Sequence, residues 1–447
     1  MAKLSLDRKN IRILFIGYIL VALFGTFILM LPIMHTKPIS FLDAFFTSAS
    51  AVSMTGLIVL NTSLDFSFYG QLVILLLIQI GGLGYMSIAM ALYILVRKKM
   101  SFGEKNLLRE SLIYPESDGL VGFLKKVLFF VFAIEFTGAI LLFLRFKLDM
   151  NLTEALWASV FHSISAFNNA GFSIFESGMM PYRDDFWINF IITSLIIVGG
   201  LGYFVLLELY FFSKKRFASL SLHTKLVLIS TIILIIFASL IVFLFEYHNP
   251  KSIGEFSLFD KIMSAYFTAV NYRTAGFNTL DLSTFKDASL FFGSLFMIVG
   301  GAPGGTAGGI KVTTVAVLLI YAYWSIKDSN ARIFNFEIPT ETINKAFIIA
   351  VSSIVYIITC VLILSLIEDD KSFLPLLFET SSAFATVGVS VGDGGTLSFS
   401  ALFNSESKLL IILLMLSGRV GVLAFLFSIF FKEKEKYLNY PKGKIIL

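Results

Sequence analysis

Charged residues are scarce in this chain. Asp, Glu, Lys and Arg make up 15% of its 447 residues, where a soluble domain carries about 25%. Hydrophobic residues fill 57% of the sequence and the mean hydropathy is +0.86, so an ordinary soluble globular protein is excluded. Cysteine is almost missing. The one thiol, Cys360, lies inside an apolar run, which rules out an intrachain disulfide and leaves thiol chemistry without a partner. The four histidines, His35, His162, His223 and His248, are scattered, and no metal-ligand or nucleophile–base spacing accompanies them. Polar stretches are short as well. No Gly-x-Gly-x-x-Gly follows a strand pattern, and no segment is long enough for a nucleotide-binding domain. Enzyme function and a bound cofactor are therefore not expected. Neither is nucleic acid, because the basic residues behind the net charge of +5 flank apolar runs. A cleavable signal peptide is also not expected, since the first apolar run continues to Met30.

Long apolar runs are what the sequence has in quantity. Eight of them lie at 11–31, 71–96, 124–144, 188–212, 226–245, 290–323, 346–367 and 408–431. Each is long enough to cross a bilayer, which takes about 20 apolar residues as a helix, and only the sixth is interrupted. The expected fold class is an all-α integral membrane protein. Between the runs of each pair lies an amphiphilic segment of about 10–14 residues, too short to cross and so expected to be re-entrant. These segments start Ser40-Phe41-Leu42-Asp43, Asn151-Leu152-Thr153-Glu154, Ser257-Leu258-Phe259-Asp260 and Ser372-Phe373-Leu374-Pro375. Three put a helix-capping residue three positions before an acid, which suits the free backbone donors of a helix start. The fourth has Pro375 in place of the acid.

Each short segment ends in a similar loop: Met54-Thr55-Gly56-Leu57, Asn169-Ala170-Gly171-Phe172, Thr274-Ala275-Gly276-Phe277 and Thr386-Val387-Gly388-Val389. The glycines are 115, 105 and 112 residues apart, a near-constant period that marks internal repetition. Four repeats of span, pore helix, glycine loop and span are expected at 1–110, 111–220, 221–335 and 336–447. Re-entrant backbone at membrane depth is tolerable only when buried or lining water. A pore helix pointing its carboxyl end inward suits a cation, and carbonyls turned by glycine can replace an ion's hydration shell. No ring of Asp or Glu occupies the four equivalent positions, which argues against a carboxylate site of the calcium type. Thr55, Thr274 and Thr386 either add hydroxyl ligands or pack behind the loops. Asn168 and Asn169 suit helix-end caps as well as ligands, and Arg273 either pairs with an acid or tunes ion binding.

Charge sets the expected orientation. Of the 35 basic residues, 23 fall at the amino terminus, in 97–126, 214–225 and 327–345, and in the tail 432–444. That side is expected to be cytoplasmic, with both termini inside and the glycine loops opening outward.

The four repeats with one glycine each resemble the Trk/Ktr/HKT superfamily of potassium transporters over essentially the whole chain. The first span starts about ten residues in, with no extra leading helix pair, which is most similar to the KtrB type of membrane subunit. The resemblance implies potassium uptake through a pseudo-fourfold pore whose selectivity filter is held by Gly56, Gly171, Gly276 and Gly388. With their neighbours, the candidate potassium site is Thr55, Gly56, Asn169, Gly171, Thr274, Gly276, Thr386, Val387 and Gly388. Midway along the closing span of the third repeat, residues 300–309 are too rich in glycine to hold a helix. A phosphate-binding P-loop fails there, because Ile310 separates Gly309 from Lys311 and no strand precedes it. By resemblance the segment is an intramembrane gate, comprising Gly304, Gly305, Thr306, Ala307, Gly308 and Gly309, with Lys311 at its end. The other closing spans carry Gly81-Gly82-Leu83-Gly84, Gly199-Gly200-Leu201-Gly202 and Gly418-Arg419-Val420-Gly421; the first two are read as close-packing sites. A charge in mid-span is costly and by default functional; Arg419 either ties helices together through backbone carbonyls or, as the resemblance implies, lies near the pore axis and contacts the 300–309 loop. Shortening that loop is expected to raise flux and leave selectivity largely intact. The resemblance also implies a homodimer seated on a cytosolic ring of nucleotide-binding RCK subunits, with sodium as a possible modulator. The competing reading is an ion-coupled carrier working by alternating access, although such carriers usually show inverted repeats.

Overall fold

The structure, a computed structural model, describes residues 8–84, 120–211, 220–394 and 396–430. Lys3, the basic stretches 97–119 and 214–219, and the tail from Lys432 lie outside these residues. The described chain is helical apart from one small hairpin, β1 (Arg332–Ile333) paired antiparallel with β2 (Phe336–Glu337).

The first repeat holds α1 (Arg8–Leu29), α2 (Phe41–Ser53) and α3 (Phe68–Leu83). The second holds α4 (Leu120–Phe146), α5 (Leu152–Phe167), α6 (Phe186–Gly200) and α7 (Tyr203–Phe211). The third holds α8 (Leu222–Glu246), α9 (Leu258–Asn271), α10 (Asp287–Met297) and α11 (Val312–Ile326). The fourth holds α12 (Thr340–Ile367), α13 (Phe373–Ala385), α14 (Ser405–Val420) and α15 (Val422–Phe430). Helices α1, α4, α8 and α12 are the four that are long and apolar enough to cross a membrane unbroken. Their outward faces leave Phe24, Phe136, Ile236 and Ile358 more than half exposed. Such faces suit hydrocarbon rather than water.

The short helices α2, α5, α9 and α13 are buried through their last two turns. Their starts follow the sequence logic. The side chains of Ser40, Asn151 and Ser257 accept from the backbone N–H of Asp43, Glu154 and Asp260 at 3.1, 2.9 and 3.2 Å. Ser372 makes no such bond, because Pro375 has no N–H to donate. The helices have 13, 16, 14 and 13 residues, so α5 exceeds the expected length by two.

Packing between repeats is cyclic. The first half of each closing span lies against the short helix of the next repeat: α3 on α5, α6 on α9, α10 on α13, and α14 back on α2. That closure gives the fold its pseudo-fourfold axis.

One expectation needs correction. The closing spans were read as continuous except for the sixth run, yet no described helix runs through the glycine-rich midpoint of its span. Helix α3 stops before Gly84 (φ 78°), α6 and α7 part around Gly202 (φ 88°) with a 100° bend, and α14 ends before Gly421 (φ 97°). Each of these glycines adopts the left-handed φ that ends a helix. The third span opens wider, across 298–311 between α10 and α11.

Candidate ion pore

The four glycine loops share one backbone conformation. Gly56, Gly171, Gly276 and Gly388 all have positive φ, at 89°, 70°, 78° and 84°. Two positions earlier, Met54, Asn169, Thr274 and Thr386 are also left-handed, at 57°, 56°, 68° and 53°. In an extended strand successive carbonyls alternate in direction; inverting every second residue turns them to one side. The last turn of each short helix anchors its loop. The N–H groups of Thr55, Ala170 and Val387 donate to the carbonyls of Ser50, Ser165 and Ser382 at 2.8–2.9 Å, whereas that of Ala275 donates to Asn271 at 3.1 Å.

The loops meet in cyclic order. A Cβ built on Gly56 would stand 2.5 Å from the Ala170 carbonyl oxygen, and one on Gly171 2.8 Å from that of Ala275. A Cβ on Gly276 would stand 2.9 Å from the Val387 oxygen, and one on Gly388 would overlap the Thr55 oxygen. So the carbonyls of the four residues that precede the glycines each face the glycine of an adjoining loop, and they converge on the axis. No side chain fits there.

The geometry separates the three hydroxyls. Thr55 directly precedes its glycine, whereas Thr274 and Thr386 stand two before theirs; their equivalents are Met54 and Asn169. The Thr55 hydroxyl is paired with Ser53 Oγ at 2.7 Å, so Thr55 faces the ring with its carbonyl. Val387 likewise contributes its carbonyl. Asn168 caps α5, and its amide donates to Glu135 Oε1 (2.9 Å) and Gln79 Oε1 (3.1 Å) behind the second loop. Arg273 forms no ion pair among the described residues. It is buried, and the one hydrogen bond of its side chain among the described residues is a long one, 3.4 Å from Nη2 to Thr231 Oγ1.

Outside the ring lies a vestibule lined in part by Asn61, Glu176 and Asp281. Each stands five residues after its glycine, as Asp393 does in the fourth repeat. That spacing was legible in the sequence and went unused.

Beneath the ring lies the 298–311 loop. Its two ends are joined by backbone bonds, Gly300 N to Ile310 O (2.9 Å) and Ile310 N to Ile298 O (3.0 Å). Its body rests on the broken second closing span. Ala302 N donates to Gly200 O and Tyr203 N to Gly304 O, both at 3.0 Å, and Gly305 packs against Gly202. Its tip reaches the ring: Thr306 Oγ1 donates to Asn169 Oδ1 at 3.0 Å, and Gly308 lies against the Thr386 side chain. Lys311 Nζ donates to Ala307 O at 2.6 Å, and Gly309 is left-handed at φ 65°. Arg419 does contact the loop. Its Nη1 donates to Thr306 O at 2.5 Å and its Nη2 to Gly81 O at 2.8 Å.

The glycine pairs of the first two closing spans therefore have two uses. Gly81 and Gly199 pack so closely on the ends of α2 and α5 that a Cβ would collide with Val52 O and Phe167 O. The carbonyls freed by the helix breaks also hold the loop and Arg419, and Gly82 O accepts from Tyr203 Oη at 2.9 Å. Sequence reading found the packing and missed the anchoring.

Residues 8–440 match the family described as "TrkH: Cation transport protein". The chain is 40% identical over 436 residues to the Ktr system potassium uptake protein B of Bacillus subtilis (strain 168), covering 97% of this chain and 96% of that protein. To the protein of the same name from Vibrio alginolyticus it is 32% identical over 437 residues, covering 97% and 94%. The crystal structure of the potassium transporter TrkH from Vibrio parahaemolyticus superposes with a TM-score of 0.75 at 19% identity, covering 96% of this chain and 86% of that one; at such identity the likeness concerns the fold. The chain thus belongs to the TrkH family of cation transport proteins, multi-pass membrane proteins here built as four span–pore helix–span repeats.

Proposed function

We propose that this chain is the translocating subunit of a Ktr-like potassium uptake system. The observation that carries this is the cyclic convergence of four backbone carbonyls, from Thr55, Ala170, Ala275 and Val387, on one axis. Carbonyl dipoles fixed by left-handed residues offer a dehydrated cation a ready-made shell. The buried ends of four helices aim their partial negative charge at the same place. The candidate filter is thus the ring around Gly56, Gly171, Gly276 and Gly388. The loop from Gly304 to Gly309, with Thr306 at the ring and Lys311 and Arg419 holding its tip, is the candidate gate. A steric plug of this kind stops ions of every sort and opens by moving aside.

The repeats are assigned to 1–110, 111–220, 221–335 and 336–447, with the ring opening outward and both termini in the cytoplasm of the cell. A homodimer joined to a cytosolic nucleotide-binding RCK ring would supply nucleotide-dependent regulation. Sodium enters as a modulator of uptake. An alternating-access carrier receives no support from repeats that all begin on one side.

Flux of potassium, rubidium and sodium into proteoliposomes holding the full chain tests the function. Preference for potassium and rubidium over sodium is expected; equal rates for all three would remove the filter. Co-purification with an RCK-type subunit from the same organism, and stimulation of flux by it, tests the partner.

A further inference from the structure

The tip of the loop and the ring are one hydrogen-bonded unit. Asn169 occupies the left-handed position two residues before Gly171 and is 1% exposed. Its Oδ1 accepts from Thr306 Oγ1 at 3.0 Å, and its Nδ2 reaches Thr274 Oγ1 in the third glycine loop at 3.4 Å. The Thr306 carbonyl is held from the other side by Arg419. Two glycine loops and the 298–311 loop therefore meet at a single amide.

We propose that Asn169 is a specificity-determining residue whose setting depends on the position of the loop, so that ion preference changes when the pore opens. This rests on the filter and gate reading above. With the loop seated, the Thr306 hydroxyl fixes the Asn169 amide against Thr274. With the loop withdrawn, Asn169 Oδ1 loses its donor, and only the long contact to Thr274 orients the amide. An amide oxygen at the inner mouth of the ring is then free to turn toward the axis, beside the hydroxyls of Thr274 and Thr386. Thr386 Oγ1 has no hydrogen-bond partner of its own and faces Gly308, so withdrawal of the loop uncovers it too. Under this proposal a shortened loop changes selectivity as well as flux, whereas the sequence alone led to the expectation that selectivity stays largely intact.

Asparagine also tolerates the left-handed region, which by itself would account for a residue of this type at 169. Asn169→Gly separates the two roles, since glycine keeps the backbone and removes the amide. The measurement is the ratio of rubidium to sodium affinity of the purified full chain with the loop seated, read from the concentration of each ion that protects the chain against heat. One buried hydrogen bond corresponds to about a fivefold change in that ratio. Thr306→Val, which keeps the shape and removes the hydroxyl, is expected to shift the ratio by about that much, and Thr306→Ser to restore it. Asn169→Gly should shift it comparably, and the double variant no further, because both changes remove the same bond. A wild-type ratio in Asn169→Gly, or effects that multiply in the double variant, overturns the coupling. If Thr306→Val fails to reach the membrane, Thr306→Ala carries the same comparison. A loop shortened within 302–309 that leaves total uptake unchanged removes the gate instead, an outcome separate from the ratio.

Discussion

The ring and the helix breaks beneath it obey the same approximate symmetry, and only the ring keeps it. All four glycine loops place a left-handed residue, a carbonyl and a left-handed glycine in the same order. Among the four closing spans, three break around a single left-handed glycine and one opens into the 298–311 loop. The difference follows from what each level has to do. A dehydrated cation on the axis needs ligands from all sides at similar distances, so an odd loop would spoil the shell. A plug needs to fill the axis once, and four such loops would collide. Two of the three short breaks then serve as anchors. Their freed carbonyls, at Gly81 and Gly200, take the donors of Arg419 and of the loop. On the proposed reading, symmetry is kept where an ion would be held and given up where the protein touches itself.

The ring is the more sensitive level, and changing it should give the largest effect. A side chain at Gly171 must enter a space where a Cβ would lie 2.5 Å from the Gly276 Cα, and it must do so at a φ that disfavours it. Strain of this kind costs about 1–3 kcal/mol from the backbone alone, before the clash is counted. Gly171→Ser and Gly388→Ser are expected to lower rubidium uptake about tenfold or more and to reduce the preference for potassium over sodium. Unchanged ion ratios in both variants, at normal expression, would sink the ring as a filter.

The proposed gate can be broken while the ring keeps its helix anchors and is altered only through Asn169. Removing several residues of 302–309 takes away the plug while the loops keep their anchors on α2, α5, α9 and α13. Uptake in cells lacking their own potassium transporters, without the cytosolic partner, should rise by about fivefold if the seated state is favoured by only one or two kcal/mol. A well-folded shortened chain with wild-type or lower uptake would make the loop a packing device.

Arg419 offers a gentler test of the same level. It ties the loop to the break in α3 through Thr306 O and Gly81 O. Arg419→Ala should raise uptake in the same direction as the shortened loop and by less, about two- to threefold, because the contacts to Gly200 and Tyr203 remain. Arg419→Lys, with one ammonium in place of a fork, should fall between alanine and the wild type. An effect larger than that of loop removal would place Arg419 outside the gate.

Much of the ring was legible before any coordinates, and for a local reason. Helix caps at Ser40, Asn151 and Ser257 and glycines at a regular spacing are written within a few residues of where they act. The charge of Arg419 in mid-span also announced a partner. Two things were hidden. The sequence places Thr55 one position nearer its glycine than Thr274 and Thr386 but does not disclose that its hydroxyl pairs with Ser53 Oγ and leaves the carbonyl to face the ring. The breaks at Gly84, Gly202 and Gly421 were invisible because glycine inside a membrane helix often serves close packing. In this fold the same glycines also end the helix, and the freed carbonyls find donors on segments more than a hundred residues away. Nothing near Gly81 or Gly200 in the sequence discloses that.

The vestibule is the mildest test, because it acts at a distance. Asn61, Glu176 and Asp281 stand five residues past their glycines and line the mouth, so two of these three positions carry a carboxylate. Glu176 and Asp281 are exposed, and Asp281 Oδ1 also accepts from Ser283 N at 2.9 Å. A mouth of one sign raises the local concentration of counter-ions, and salt screens that gain over about 10 Å at 0.1 M ionic strength. Glu176→Gln with Asp281→Asn removes the charge and leaves the amide oxygen of residue 281 able to accept the same bond. The potassium concentration for half-maximal uptake is expected to rise about twofold at low ionic strength and to match the wild type near 0.5 M choline chloride, where the screening length falls to a few ångströms. The maximal rate should not move, since the ring is untouched. A shift that persists at high salt would mean that these carboxylates act through the shape of the outer loops, and the ring alone would then account for the attraction of the ion.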